Sequence, residues 1–291
     1  MAFFGTPEIA VVCLEKLAEV GIVPTLVITR PDASVGRDHT LTASPVKEWA
    51  LARGIDVLQP TKITDELIDT LGNTEWDIFL VVAYGAILPK RLIELPERGT
   101  LNMHPSLLPR LRGPSPIQSA ILTNEQPTGV TVMQIDEKMD HGPIIAQASV
   151  EVEEWPVRAK LLEGILANEG ASLLAEVIPQ WMNGKIIPYM QDDALATLCP
   201  KIHKEDGEIN LAGDADENLR KIRAFEGWPG TYSFFERGSK SAPPAGGRRI
   251  RVAILDAHLG DDGTLVIDTV KPEGKTEMPY EDFLRSGAKP L

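Results

Sequence analysis

Apolar and polar positions along this 291-residue chain change period several times, and each change marks an element. Phe3-Phe4 is a short apolar run. Gly5-Thr6-Pro7-Glu8 after it has the form of a strand-to-helix turn, with Thr6 placed to cap and Pro7 at the first helical position. Helical spacing follows through Ala10 to Val20 and stops at Gly21, and Thr25 to Thr29 is strand-like again. This opening predicts a doubly wound α/β sheet. Val46 to Arg53 and Asp65 to Leu71 are helical in pattern, with the short strand Asp56-Val57-Leu58 between them. Asp77 to Ala83, DIFLVVA, is apolar without alternation, as a central parallel strand covered on both faces requires. Leu101-Asn102-Met103-His104 alternates with period two and ends at Pro105, so Leu101 and Met103 face one way and Asn102 and His104 the other. Ser115, Pro116 and Gln118 have the spacing of a capped helix start. Gly129 to Ile135 is strand-like, and Trp155 to Asn183 is helical up to Gly184.

The pattern weakens over Ile187 to Pro200, which contains two prolines and Asp192-Asp193. The chain therefore divides into a first domain over 1–186, a linker over 187–200 and a second domain over 201–291. In the second, Asp214 and Glu217 mark the start of a helix reaching Phe225. Trp228-Pro229-Gly230 is a turn, and three strands follow: Thr231 to Phe235, Arg248 to Leu255 and Leu265 to Val270. Ser239 to Gly247 reads as a loop.

Composition narrows the class. Apolar residues make up 43% and charged residues 24%, as in a soluble globular protein. No apolar run approaches the roughly 18 residues that span a bilayer, and no signal-peptide pattern opens the chain, so the expected location is the cytoplasm. The two cysteines, Cys13 and Cys199, are far apart and outside any metal-type spacing. The five histidines show no ligand spacing, so no metal is expected. The net charge of −13 excludes indiscriminate nucleic-acid binding but leaves room for one RNA on a local basic patch. There is no G-x-G-x-x-G after the first strand, so a dinucleotide is not expected.

Candidate chemistry gathers at Leu101 to Asp140. Asn102 and His104 share a face at the C-terminal end of a strand, where open α/β sheets bind ligands. Asp140 follows the next strand-like run. A donor amide, a titratable ring and a carboxylate suit acyl transfer. Taken singly, each has a plainer reading: an amide bonded to backbone, a structural histidine, a loop carboxylate. Their combination favours catalysis.

Asn102-x-His104-Pro105-Ser106-Leu107-Leu108-Pro109, Arg112-Gly113, Pro116-Ile117-Gln118, Thr128-Gly129-Val130-Thr131 and Met139-Asp140-x-Gly142 together resemble the folate-dependent formyltransferases. The resemblance implies a Rossmann-like, mostly parallel catalytic domain and a smaller OB-like β-rich C-terminal domain. With three strands legible, that second domain is expected to be shortened and its barrel incomplete. The implied co-substrate is 10-formyltetrahydrofolate. Asn102, His104 and Asp140 are the implied catalytic residues. The implied folate contacts are Ser106, Leu107, Leu108 and Pro109 on one side and Tyr84, Gly85 and Ile87 on the other.

The implied acceptor is the free amino group of methionine on charged initiator tRNA, and the implied protein is a monomer. Arg30 and Arg37, on the loop from Arg30 to Ser44, and Lys204, Arg249 and Arg251, on the second domain, are the implied tRNA contacts, with Lys201 and Arg248 beside them. Asp38 and His39 stand where relatives are commonly basic, so the grip on tRNA is expected to be weak. Ser44-Pro45-Val46-Lys47 and Lys204-Glu205-Asp206-Gly207 favour the tRNA branch of the family. The rival acceptor is an amino-sugar nucleotide. A formyl-folate hydrolase ranks third, and a folate-binding module without turnover is the non-enzyme alternative.

Overall fold

The computed structural model describes residues 1–35, 40–237 and 248–291. The chain separates into two compact units. The first comprises 1–116, 127–151 and 163–199, and the second 117–126, 152–162 and 200–291. The segment 187–199 is bonded into the first unit: Tyr189 exchanges backbone hydrogen bonds with Ile144, and Arg112 exchanges them with Thr197 and Cys199. No helix among the described residues is long and apolar enough to cross a membrane.

In chain order the elements are β1 (Ala2–Gly5), α1 (Glu8–Glu19), β2 (Leu26–Ile28), β3 (Ala33–Val35), β4 (Thr40–Thr42), α2 (Pro45–Leu51) and β5 (Asp56–Leu58). Then come α3 (Asp65–Gly72), β6 (Phe79–Val82), α4 (Lys90–Ile93), β7 (Thr100–His104), α5 (Pro116–Leu122), β8 (Thr128–Gln134), β9 (Ile144–Val150) and α6 (Ala159–Met182). The sheet order is β5-β2-β1-β6-β7-β8-β9. The first five of these strands run parallel; β8 and β9 are antiparallel additions. The chain winds outward from β1 to β5, then returns to β6 on the other side of β1. That reversal opens a crevice at the C-terminal ends of β1 and β6, beside β7.

β1 and β6 are buried along their whole length, which explains their unbroken apolar sequences. Phe4 packs edge-on against Tyr84 and at a tilt against Phe79, within the core around Leu88 and Leu92. The expected cap at Thr6 does not form: α1 has Pro7 at its cap position and no side-chain cap. Thr6 Oγ1 instead donates to the Tyr84 carbonyl at 3.3 Å and accepts from the Arg30 amide at 3.4 Å, tying together the turns after β1, β2 and β6. Ser44 does cap α2, accepting from the Lys47 amide at 3.1 Å.

The second unit contains α7 (Ala215–Ala224), β10 (Thr231–Arg237), β11 (Arg248–Leu259), β12 (Leu265–Pro272), β13 (Met278–Pro279), α8 (Tyr280–Arg285) and β14 (Ala288–Pro290). Asp214 caps α7, accepting from the Glu217 amide at 2.8 Å. The sheet has five strands in the order β13-β12-β11-β10-β14, not the three expected. The unforeseen strands are two and three residues long, too short to show alternation. Pro279 and Pro290 in them are tolerated because both lie at sheet edges. The strand order does not close, so the sheet is a half-barrel around Phe235, Val252, Val270 and Phe283.

Candidate active site

His104 is the last residue of β7, and its side chain is 6% exposed. Its Nε2 lies 2.9 Å from the Leu111 carbonyl. A carbonyl can only accept, so Nε2 carries hydrogen and Nδ1 is the nitrogen turned to Asp140, whose Oδ2 is 3.7 Å away. That oxygen also accepts from the Gly113 amide at 2.8 Å. Asn102, two residues before His104 on the same face of β7, is half-buried. Among the described residues its amide has no hydrogen-bond partner, so its donors are available. The structure thus brings His104 and Asp140 together at the strand end, with Asn102 on the adjoining position.

The surrounding backbone is unusual. Ala83, Leu111 and Asp140 have φ of 48°, 58° and 47°, in the left-handed region that side chains disfavour. All three belong to the loops around this strand end. Strained residues concentrate where surrounding structure holds functional groups in place. Gly113, at φ 128°, is required by close approach as well: an added Cβ would collide with the Cys199 carbonyl.

The Ser106–Pro109 segment is held from beneath. Thr131 Oγ1 donates to the Ser106 carbonyl at 2.6 Å and accepts from the Leu108 amide at 3.1 Å. Gln147 reaches both the Leu108 carbonyl and Thr131, each at 2.9 Å. Ser106 is 1% exposed and spends its hydroxyl on the Arg110 carbonyl at 2.7 Å. Leu108 is 3% exposed and packs on Met133 and Ile144. Leu107 and Pro109 are half-buried. Leu107 lies over Gly129, where a Cβ would stand 2.7 Å from its Cδ2. On the β6 turn, Tyr84 is 2% exposed and its ring belongs to the core, where burial pushes its hydroxyl pKa up. Gly85, at φ 77°, turns the chain, and Ile87 stands 83% exposed.

Several neighbours of the site have no role assigned by the sequence pattern, Arg112 among them although its motif was noted. Arg112, 8% exposed, bonds Gln191 through Nε at 2.9 Å and pairs with Asp193 at 2.9 Å. The hydrogen bond from Arg112 holds the Asp193 carboxyl below the ordinary aspartate range. His141 Nδ1 lies 2.6 Å from Asp136, and its Nε2 lies 3.6 Å from Asp193. Among the described residues no group of three His, Cys, Asp or Glu side chains could hold a metal ion. A cavity of about 930 Å³, lined by Lys90, Ile93, Arg98, Gln134, Glu137 and Trp181 among others, contains none of Asn102, His104 or Asp140.

Of the basic residues, Arg30 lies half-buried after β2 with no acidic partner among the described residues. Arg37, with Asp38 and His39, lies outside the described residues. Lys201 and Lys204 are exposed in the second unit. Arg249 stacks over Phe234 at 3.7 Å and Arg251 over Tyr232 at 3.6 Å, so the two share one face of the β10–β11 pair.

Two family models match: Formyl transferase over residues 1–178 and Formyl transferase, C-terminal domain, over 201–262. The methionyl-tRNA formyltransferase of Acidobacterium capsulatum is 39% identical, over 98% of this chain and 96% of that protein. That of Myxococcus xanthus is also 39% identical, over 98% and 94%. Two solved structures share the fold. The sugar 3N-formyl transferase WlaRD, with dTDP and 5-N-formyl-THF, matches with a TM-score of 0.62 at 20% identity, over 94% of this chain and 98% of that one. The methionyl-tRNA formyltransferase of Clostridium thermocellum matches with 0.56 at 16%, over 93% and 97%. With a family model spanning more than half of its length and full-length relatives at this identity, the chain belongs to the formyl transferase family.

Proposed function

We propose that this enzyme transfers the formyl group of 10-formyltetrahydrofolate to the amino group of methionine on charged initiator tRNA. The observation that carries this reading is the pairing of His104 and Asp140 at the end of β7, with Asn102 on the same face, in a chain whose full-length relatives are methionyl-tRNA formyltransferases. The reaction is an amide exchange. The amine nitrogen bonds to the formyl carbon, the carbon–N10 bond breaks, the amine loses a proton and N10 gains one. Asn102 donates a hydrogen bond to the oxyanion that develops on the formyl oxygen. His104 is the titratable group at this strand end that moves the proton in this reading, and Asp140, 3.7 Å from its Nδ1, orients the ring.

The folate pocket in this reading lies between the β6 turn and the Ser106–Pro109 segment. Ile87, Leu107 and Pro109 offer apolar surface, and Gly85 and Leu108 offer backbone groups. Tyr84 and Ser106 act from below, the ring filling core and the hydroxyl closing the turn. Arg30, Lys204, Arg249 and Arg251 are the cations for tRNA phosphates. An arginine stacked on a ring keeps its N–H edge free for phosphate.

The test is a side-by-side assay of the purified protein with 10-formyltetrahydrofolate and either charged initiator tRNA or a dTDP-linked amino sugar. Formylation of the tRNA alone is expected. Formylation of the sugar alone would replace this acceptor with the rival one.

A further inference from the structure

We propose that Gln191 is a positioning residue for formyl transfer, holding the Asp140 loop in the conformation that presents its carboxylate to His104. The inference rests on the proposed roles of His104 and Asp140. Asp140 is held at φ 47°, a conformation it would leave if unrestrained. Gln191 Nε2 donates to the Asp140 carbonyl at 2.9 Å and to the Gly142 carbonyl at 2.8 Å. Both amide hydrogens are therefore spent on the peptides at either end of the loop tip. The direction of the amide is set by Arg112, whose Nε donates to Gln191 Oε1 at 2.9 Å; the reverse orientation would face two N–H groups with each other. Arg112 is anchored in turn by Asp193 at 2.9 Å.

The same stretch steadies the other side of the pair. Thr197 Oγ1 accepts from the Leu111 amide at 2.8 Å, and the Leu111 carbonyl is the acceptor for His104 Nε2. Residues 191–199 thus reach both the loop that carries the carboxylate and the loop that orients the ring. Gln191 is half-buried and acts only through Asp140.

Gln191→Glu keeps the length and the Arg112 acceptor but loses both donors; Gln191→Leu loses all three bonds. With the amine acceptor that the wild type formylates, either variant should lower kcat about tenfold or more and leave both KM values within about threefold. In an Asp140→Asn background the same change should cost less than about twofold further, because a residue acting through Asp140 has nothing left to position. Amide exchange adds a readout without turnover: protection of the Gly113 amide, which donates to Asp140, should fall in both variants. Wild-type kcat with unchanged Gly113 protection in both variants would overturn the proposal, as would an equal cost in the Asp140→Asn background. If Asp140→Asn alone turns over like wild type, the reading of the site fails. If Asp140→Asn is slow and the Gln191 variants are not, only the positioning role fails. Should Gln191→Leu not fold, Gln191→Glu carries the comparison.

Discussion

Nε2 of His104 has the Leu111 carbonyl as its partner, and Nδ1 has a carboxylate opposite, so this ring is oriented before any substrate arrives. His104→Ala should lower kcat by roughly 100-fold or more while folate affinity stays similar, measured by single-turnover kinetics and equilibrium binding. Asn102→Ala should cost on the order of 3 kcal/mol of transition-state stabilisation. Gly113→Ala should lose about 1–3 kcal/mol of stability in a denaturant titration, because the added methyl meets the Cys199 carbonyl at a backbone angle glycine alone accepts freely. The placement of Asn102 and His104 on one face was legible in the sequence, because strand alternation sets it and a proline marks the strand end. Gln191 and Thr197 were not, since they act on residues some 50 and 86 positions away through bonds that no local pattern encodes.

Among the elements, long uniform ones were readable and short ones were not. The apolar run of β6 needs burial on both faces and received it. β13 and β14 carry too few residues for any period to show, so three strands were counted where five form, while the expectation of an incomplete barrel agrees with the open strand order. Thr6 had the local signature of a cap, yet tertiary partners on Tyr84 and Arg30 claimed its hydroxyl. The segment after α6 read as a linker, but its polar side chains bond to the first unit, and this gives it a pH signature. The folded pKa of Asp193 lies below its ordinary value of 3.8. Its pairing with Arg112 therefore contributes fully above 3.8 and is lost as pH falls through the lowered folded value. Carboxyl NMR titration should place its midpoint below 3.8; a midpoint at or above it would contradict the pairing. On β11, Arg249→Glu with Arg251→Glu should raise KM for charged tRNA and leave folate affinity unchanged. The log–log salt slope of tRNA binding should become shallower by roughly 1.8 if each arginine makes one phosphate contact.

At the scale of the whole molecule, a chain of net charge −13 with charged tRNA as its proposed acceptor works against its own field, so its binding is expected to depend on a few local cations. A doubly wound sheet offers one crevice where strand order reverses, and the chemistry-bearing residues lie around it. In the proposed reaction this crevice moves a formyl group onto methionyl initiator tRNA by way of His104. This transfer is tested most directly by the single-turnover rate of formyl-methionyl-tRNA formation, with saturating 10-formyltetrahydrofolate, in wild type and in folded His104→Ala protein. Rapid product formation is expected in the wild type, and a rate lower by about 100-fold or more in the variant. Equal rates, or no formylated tRNA from the wild type, would contradict it.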